Sequence, residues 1–410
     1  MFIHLIMLCL TEKIIQCNLH THQHQFLLDF KINIFKGLWR VSMKNKRFLW
    51  IVICFFIAAS LSACGSDDSH HSKYLTGVGS IAAGWSHSLA LKNDGTIRSW
   101  GYNGAGQLGD GTMFNQYRPV KFKHLNRVVG VAAGWSHTVA VKKDGTVWTM
   151  GDNSEGQLGD GTTEKRTEPV EVTGLTDAKA IAAGWVHTVA LNNDGIVWAW
   201  GNNIAGQLGN GTTTDSLFPI QILTGVRAIS AGWEHTVALK EDGTVWTWGD
   251  NSSGQLGRAS ISTSTPLQVE GLTGIVSIAA GLNHTVALKS DGTVWAWGSN
   301  NAGELGDGTT ENSQTPVEVI GLNGVKAISA GLYRTVALKN DGSVWNWGYN
   351  GTGNLGNGTT DNSTTPVRVQ GLTEIKAIVS GESFTLALTE DGKVWSWGYN
   401  TAGQLGDGTT

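Results

Sequence analysis

The sequence predicts an all-β fold, a seven-bladed β-propeller built from four-stranded units of about 50 residues each. Three observations carry that prediction. The segment AAGWSHSLALKNDGTIRSWG, starting at Ala82, returns six more times, anchored on Gly84, Gly134, Gly184, Gly232, Gly281, Gly331 and Gly381 at steps of 48 to 50 residues. A period in that range marks units that each form one supersecondary element and bury their faces only by stacking on neighbours. The chain of 410 residues also carries 55 Gly and 18 Trp but only six Pro and 15% charged residues. Disordered segments are charge-rich and aromatic-poor, collagen needs Gly at every third position with abundant Pro, and coiled coils need a heptad pattern. None of these fits. Finally, apolar and small residues alternate with a period of two and show no helical periodicity, which favours strands.

Within the third unit the strands read off in order. AKAIAAG from Ala178 is the first strand and HTVALN from His187 the second. Asp194-Gly195 is a two-residue hairpin signal, and IVWAWG from Ile196 is the third strand. A Gly-rich loop follows, and FPIQIL from Phe218 opens the fourth strand with Pro219 at its start, where an edge strand tolerates a missing N–H. All six Pro, at 119, 169, 219, 266, 316 and 366, take this one place in the repeat. On the second strand Thr188 and Ala190 face one way while His187, Val189 and Leu191 face the other. A small face opposite a large one suits sheets stacked radially. The seventh unit stops at Thr410, before any counterpart of PVRVQGL, so the last blade is expected to lack its fourth strand, with truncation of the chain the preferred explanation.

The N-terminal part is a different object. From Met43 the chain reads MKNKRFLWIVICFFIAASLSAC, a basic start, an apolar run and a small-residue end, the pattern of a secretory signal peptide. Leu-Ser-Ala-Cys, ending at Cys64, resembles the lipobox of bacterial lipoproteins, which implies Cys64 as the lipidated first residue of the mature chain. Gly65 after it implies the outer membrane if the organism has one. Residues 1–42 are then an extension upstream of the true start, 43–63 the signal peptide, 64–73 the lipidated Cys with a short polar tether, and 74–410 the propeller. Cys9, Cys17 and Cys54 all precede the cleavage point, so the mature chain has no disulfide framework. Residues 1–63 carry seven Lys or Arg and two acidic side chains, which leaves −9 for the rest of a chain whose total is −4. That balance offers no electrostatic footprint for nucleic acid.

The run AGWSHTVAVKKDGTVWTMGDNSEGQLGDGTT from Ala133, followed by PVEVTGL, is similar to the repeat of the regulator of chromosome condensation family, and the resemblance covers residues 75–410. It implies a seven-bladed propeller, as the periodicity does independently. It does not choose a function, because related propellers include a nucleotide exchange factor, a plant ultraviolet photoreceptor and a secreted inhibitor of β-lactamases. The exchange factor uses a basic tail and an inserted wedge, and this chain has GSDDSHHSK and evenly spaced units. The photoreceptor resemblance implies Arg where this chain has Ser136, Val186 and Glu234, which puts a charge-paired, light-sensitive dimer in doubt.

Apparent motifs have bland readings. Gly104 to Gly109 and Gly351 to Gly356 satisfy G-x-G-x-x-G, but neither opens a helical pattern, so no dinucleotide cofactor is expected. Asp152 to Gly156 resembles a calcium loop without its closing acidic residue. His87, His137, His187, His235 and His284 recur once per unit, with Arg334 and Phe384 in the same place in the last two. Ligands of one metal must lie about 2.0 to 2.1 Å from it, and a ring of equivalent positions does not converge so tightly. These His are expected to be packed, hydrogen-bonded structural groups, with no metal and no catalytic residue. The residues that vary lie just after the anchoring glycines. Trp85, Trp135, Trp185 and Trp233 give way to Leu282, Leu332 and Glu382, and the next position holds unlike side chains including Glu234, Asn283 and Tyr333. Together with Arg334 these are the candidate partner-binding residues, since interfaces favour Trp, Tyr and Arg anchors. Loop variation at 113–118, 163–168 and 258–265 marks a second, outer surface.

The expected function is a cell-envelope lipoprotein acting as a rigid scaffold for a protein partner, with no cofactor and no enzymatic activity. A nucleotide-exchange regulator and a lyase or hydrolase at the channel mouth are the alternatives.

Overall fold

The computed structural model describes residues 70–71, 75–259 and 261–410. The extension, the signal peptide and Cys64 lie outside the described residues. No helix occurs among the described residues, whose strands form seven four-stranded antiparallel sheets. The third blade shows the plan, with strands Ala178–Ala183, His187–Asn192, Val197–Gly201 and Ser216–Leu223 hydrogen-bonded in sequence order.

Two local details differ from the sequence reading. The hairpin at Asp194-Gly195 is a three-residue loop in which Gly195 alone takes positive φ, at 76°. Gly195 N–H donates to Asn192 C=O at 3.2 Å and Asn192 N–H to Ile196 C=O at 3.0 Å, a turn closed by a glycine bulge. Pro219 also lies inside its strand rather than at the start. The ladder skips there, with Gly201 opposite Ser216 and Ala199 opposite Ile220, so the missing N–H falls in a bulge on an edge strand.

Both faces of the second strands are buried because each blade packs on two neighbours. Val139 and Val141 on the large face of the second blade meet Ala190 and Trp200 of the third. Val189 and Leu191 of the third meet Ala238 and Trp248 of the fourth. The same packing closes the ring, since Leu386 and Leu388 of the last blade meet Ala90 and Trp100 of the first. Large faces against small faces set a uniform spacing between sheets, which is how one repeat generates a closed ring.

The expectation that the last blade lacks a fourth strand is corrected. Backbone from the N-terminal side takes that place, with His70 paired to Ser396 and His71 to Trp395, so this sheet is also four-stranded. A repeat signal supports it: YLTGVGSI from Tyr74 matches GLTEIKAI from Gly371, and the same offset puts His70 and His71 at Val367 and Arg368 of the sixth blade's outer strand. Leu75, aligned with Leu372 by that offset, is buried like its counterpart. The polar SHHSK hides the strand from a hydrophobic reading.

Candidate functional site at one channel mouth

The anchoring glycines form the inner ring. A Cβ on Gly84 would lie 2.4 Å from Gly134 O and 2.5 Å from His87 Cε1, and one on Gly184 would lie 2.5 Å from Gly232 O and 2.2 Å from His187 Cε1. Successive blades therefore touch backbone to backbone, and no side chain fits between. Hydrogen bonds tie this ring. Trp85 N–H donates to Gly134 C=O at 3.2 Å, Trp233 N–H to Leu282 C=O at 3.2 Å, and Leu332 N–H to Glu382 C=O at 3.3 Å.

Behind the glycines lies the histidine ring. His187 Nε2 meets Thr236 Oγ1 of the next blade at 3.1 Å, and Thr236 donates in turn to Gln207 C=O at 2.8 Å. The hydroxyl proton is thus committed, so the imidazole donates from Nε2 and leaves Nδ1 unprotonated. His87, His137, His235 and His284 repeat the contact to Thr138, Thr188, Thr285 and Thr335. Their Nδ1 atoms are buried without a partner. Burial, the first cause in each case, lowers the pKa of His87, His187 and His235 to about 3 and of His137 and His284 to about 4. These are the structural groups the sequence suggested, each held to a different neighbour. Among the described residues no three His, Cys, Asp or Glu side chains come together as a metal site.

The loop after each third strand is organised from inside by an asparagine. Asn153 Nδ2 donates to Asp160 Oδ1 at 3.1 Å and to the carbonyls of Thr162 and Glu164 at 3.0 and 3.1 Å, while its Oδ1 accepts Leu158 N–H at 3.0 Å. An amide nitrogen therefore occupies the point where the loop oxygens converge. Asn103 does the same in the first blade, so its G-x-G-x-x-G run is a loop folded on itself with no helix behind it.

Of the candidate residues the structure brings the four tryptophans together, whereas Glu234, Asn283 and Tyr333 do not line the same recess and Arg334 is buried. Trp85, Trp135, Trp185 and Trp233 converge at one mouth of the channel. Ring centroids of Trp85 and Trp135 are 5.1 Å apart, those of Trp135 and Trp185 5.3 Å, and those of Trp185 and Trp233 4.4 Å. All four indoles are half-buried. They share a recess of about 120 Å³ with Leu282, Leu332 and Glu382. Glu234 and Asn283 are half-buried on neighbouring blades, and Tyr333 is exposed. Burial and then Asp250 raise the Glu234 pKa. Arg334 is the clearest correction. It is fully buried and takes the histidine place of the sixth blade, where its Nε and Nη2 donate to Ser380 Oγ at 2.9 and 2.7 Å and Nη2 also to the carbonyls of Gly381 and Phe384. It cannot reach a partner.

Glu382 belongs to the site but lay outside the candidate set. Burial raises its pKa, opposed by a hydrogen bond from the Trp85 side chain and by the Arg334 charge. The signal was present in the sequence as the one acidic residue in a column of Trp and Leu. On the outer surface Met113, Phe114 and Ile261 are exposed, at 48%, 77% and 88%.

Comparison with known proteins agrees with this architecture. Profiles of the regulator of chromosome condensation (RCC1) repeat match residues 94–141 and 144–191, and 79–107 and 128–157. The ultraviolet-B receptor UVR8 of Arabidopsis thaliana is 39% identical over 46 residues, and the mitochondrial RCC1 domain-containing protein RUG3 of the same plant is 47% identical over 45. Each match spans 11% of this chain and 10% of the relative, so the aligned part is about a tenth of either protein. Among solved structures, human WBSCR16 is 23% identical with a TM-score of 0.68, covering 78% of this chain and 87% of that one. Prp20p of Saccharomyces cerevisiae is 25% identical with a TM-score of 0.68, covering 79% and 83%. The RCC1-like domain profile matches residues 176–410, more than half of the chain, and the protein belongs to that family.

Proposed function

We propose that this protein is a rigid protein-binding scaffold, held at the cell envelope by a lipid on Cys64, that engages its partner through the tryptophan-bearing channel mouth. The observation that carries the reading is the cluster of four half-buried indoles that share one recess with Leu282, Leu332 and Glu382. Aromatic anchors in a pocket are what interfaces use for affinity. The scaffold performs no chemistry of its own. General acid–base work draws on an acid and a base converging on one point, and among the described residues the recess is lined by one carboxylate, Glu382.

Crosslinking on intact cells, comparing the wild-type chain with a variant changed to Ala at Trp135, Trp185 and Trp233, tests the binding face. Loss of a specific crosslinked partner is expected, and unchanged capture moves the site to the outer loops. Labelling with a fatty-acid analogue tests the anchor, with incorporation expected in the wild type and lost in Cys64→Ser.

A nucleotide-exchange role is the second reading, implied by the resemblance to the regulator of chromosome condensation family, and the structurally similar Prp20p is described with binding to Gsp1p and histones. Acceleration of nucleotide release from small GTPases by the purified protein would support it.

A further inference from the structure

We infer that the recess at the tryptophan mouth is a binding site for a quaternary ammonium group, the charged end of a choline-type or betaine-type molecule. Its wall combines two features that such a group requires. One is aromatic surface, supplied by Trp85, Trp135, Trp185 and Trp233 on four consecutive blades, whose neighbouring ring centroids lie 4.4 to 5.3 Å apart, so that the indoles pack on one another as one continuous aromatic wall. The indole face is the best side-chain partner for a cation, and cages of such rings are the recurring solution for ammonium groups that cannot donate hydrogen bonds. The other is a countercharge. Among the described residues Glu382 is the sole ionisable side chain lining the recess, and no Lys, Arg or His lines it.

The carboxylate is positioned for that role. The Trp85 side chain donates a hydrogen bond to it, and its own backbone is fixed at both ends, Glu382 N–H to Gly84 C=O and Leu332 N–H to Glu382 C=O, each at 3.3 Å. The Arg334 guanidinium is fully buried, its Nε and Nη2 bonded to Ser380, Gly381 and Phe384 and its Nη1 without a hydrogen-bond partner, and its charge favours the ionised carboxylate against the larger opposing effect of burial. Leu282 and Leu332 complete the wall with apolar surface, which suits methyl groups and gives a hydrated ammonium nothing to bond. The recess, about 120 Å³, is open to solvent and has room for a trimethylammonium head. The recess is the same mouth that the protein-binding reading uses, and the inference concerns the protein free of such a partner.

Tryptophan fluorescence of the full-length protein, titrated with tetramethylammonium chloride, with choline and with 3,3-dimethyl-1-butanol, tests it. Saturable quenching by the two cations is expected, with the uncharged isostere weaker by about tenfold or more. Glu382→Gln, which keeps the side-chain shape, should weaken choline by about fivefold with an unchanged melting temperature, and Trp185→Phe should weaken it while retaining an aromatic ring. Vesicles of phosphatidylcholine separate the two sources of the group: association of the vesicles assigns a lipid headgroup, and choline binding without it assigns a free molecule. Equal response to the uncharged isostere, or choline binding unaffected by both substitutions, overturns the inference. Neither result bears on the crosslinking test, so the two readings fail separately.

Discussion

Glu382 N–H donates to Gly84 C=O at 3.3 Å, so the last blade is joined to the first by the type of backbone bond that links Leu282 to Gly331 between the fifth and sixth. Backbone thus joins the first and last blades at the inner edge of the ring. The anchoring glycines are therefore required for contact between blades rather than for an unusual φ.

Gly184→Ala should be among the most damaging single substitutions. Its Cβ would meet the Gly232 carbonyl at 2.5 Å, which is backbone and cannot move aside. A loss of about 3 kcal/mol or more in denaturant unfolding is expected, as for other overpacking of a rigid site. Gly174→Ala is the control. Nothing lies within 4 Å of its Cβ, and only its φ of +75° opposes the change, for about 1 kcal/mol.

The histidine ring makes the fold acid-sensitive. Folded pKa values of about 3 to 4 lie below the ordinary 6.5, so between these limits the unfolded chain binds more protons than the folded one. The contribution is complete above about pH 6.5 and is lost as pH falls toward 4, at about 1.4 kcal/mol per pH unit for each His. His187→Phe copies Phe384, the native occupant of this place in the seventh blade. It should fold at neutral pH and reduce the acid slope by about one proton, measured by chemical unfolding from pH 7 to pH 4.5.

Phe122 and Met150 share the space beside Gly109, with the Met150 sulfur and Phe122 ring 2.9 and 3.2 Å from a Cβ built there. The corresponding position beside Gly257 holds Val269 and Trp297. Met150→Trp alone should destabilise by about 1 to 3 kcal/mol through overpacking against Phe122. Phe122→Val alone leaves a void and costs a similar amount. The double variant should recover most of both, because the indole could then reach Gln107 C=O as Trp200 reaches Gln157 C=O at 3.0 Å. A double-mutant cycle checks it, and simple additivity would refute the coupling.

The repeat by itself determined the architecture, since a period of about 50 residues, a turn code and alternation admit few ways to bury both sheet faces. It also identified the indoles at one mouth and the structural nature of the five His. Three matters were left to the tertiary structure. The outer strand of the seventh blade depends on backbone pairing, which polar residues such as His70 and His71 can supply without any hydrophobic pattern. Arg334 stands in the histidine place by sequence and reads as a surface anchor by residue type, but its full burial there is set by the neighbouring blade. Glu382 becomes one wall with Trp85 only when the ring closes, because 297 residues of chain separate two positions that adjacent blades bring together. Local periodicity specifies each blade, and what faces the channel is decided by how the first blade meets the last.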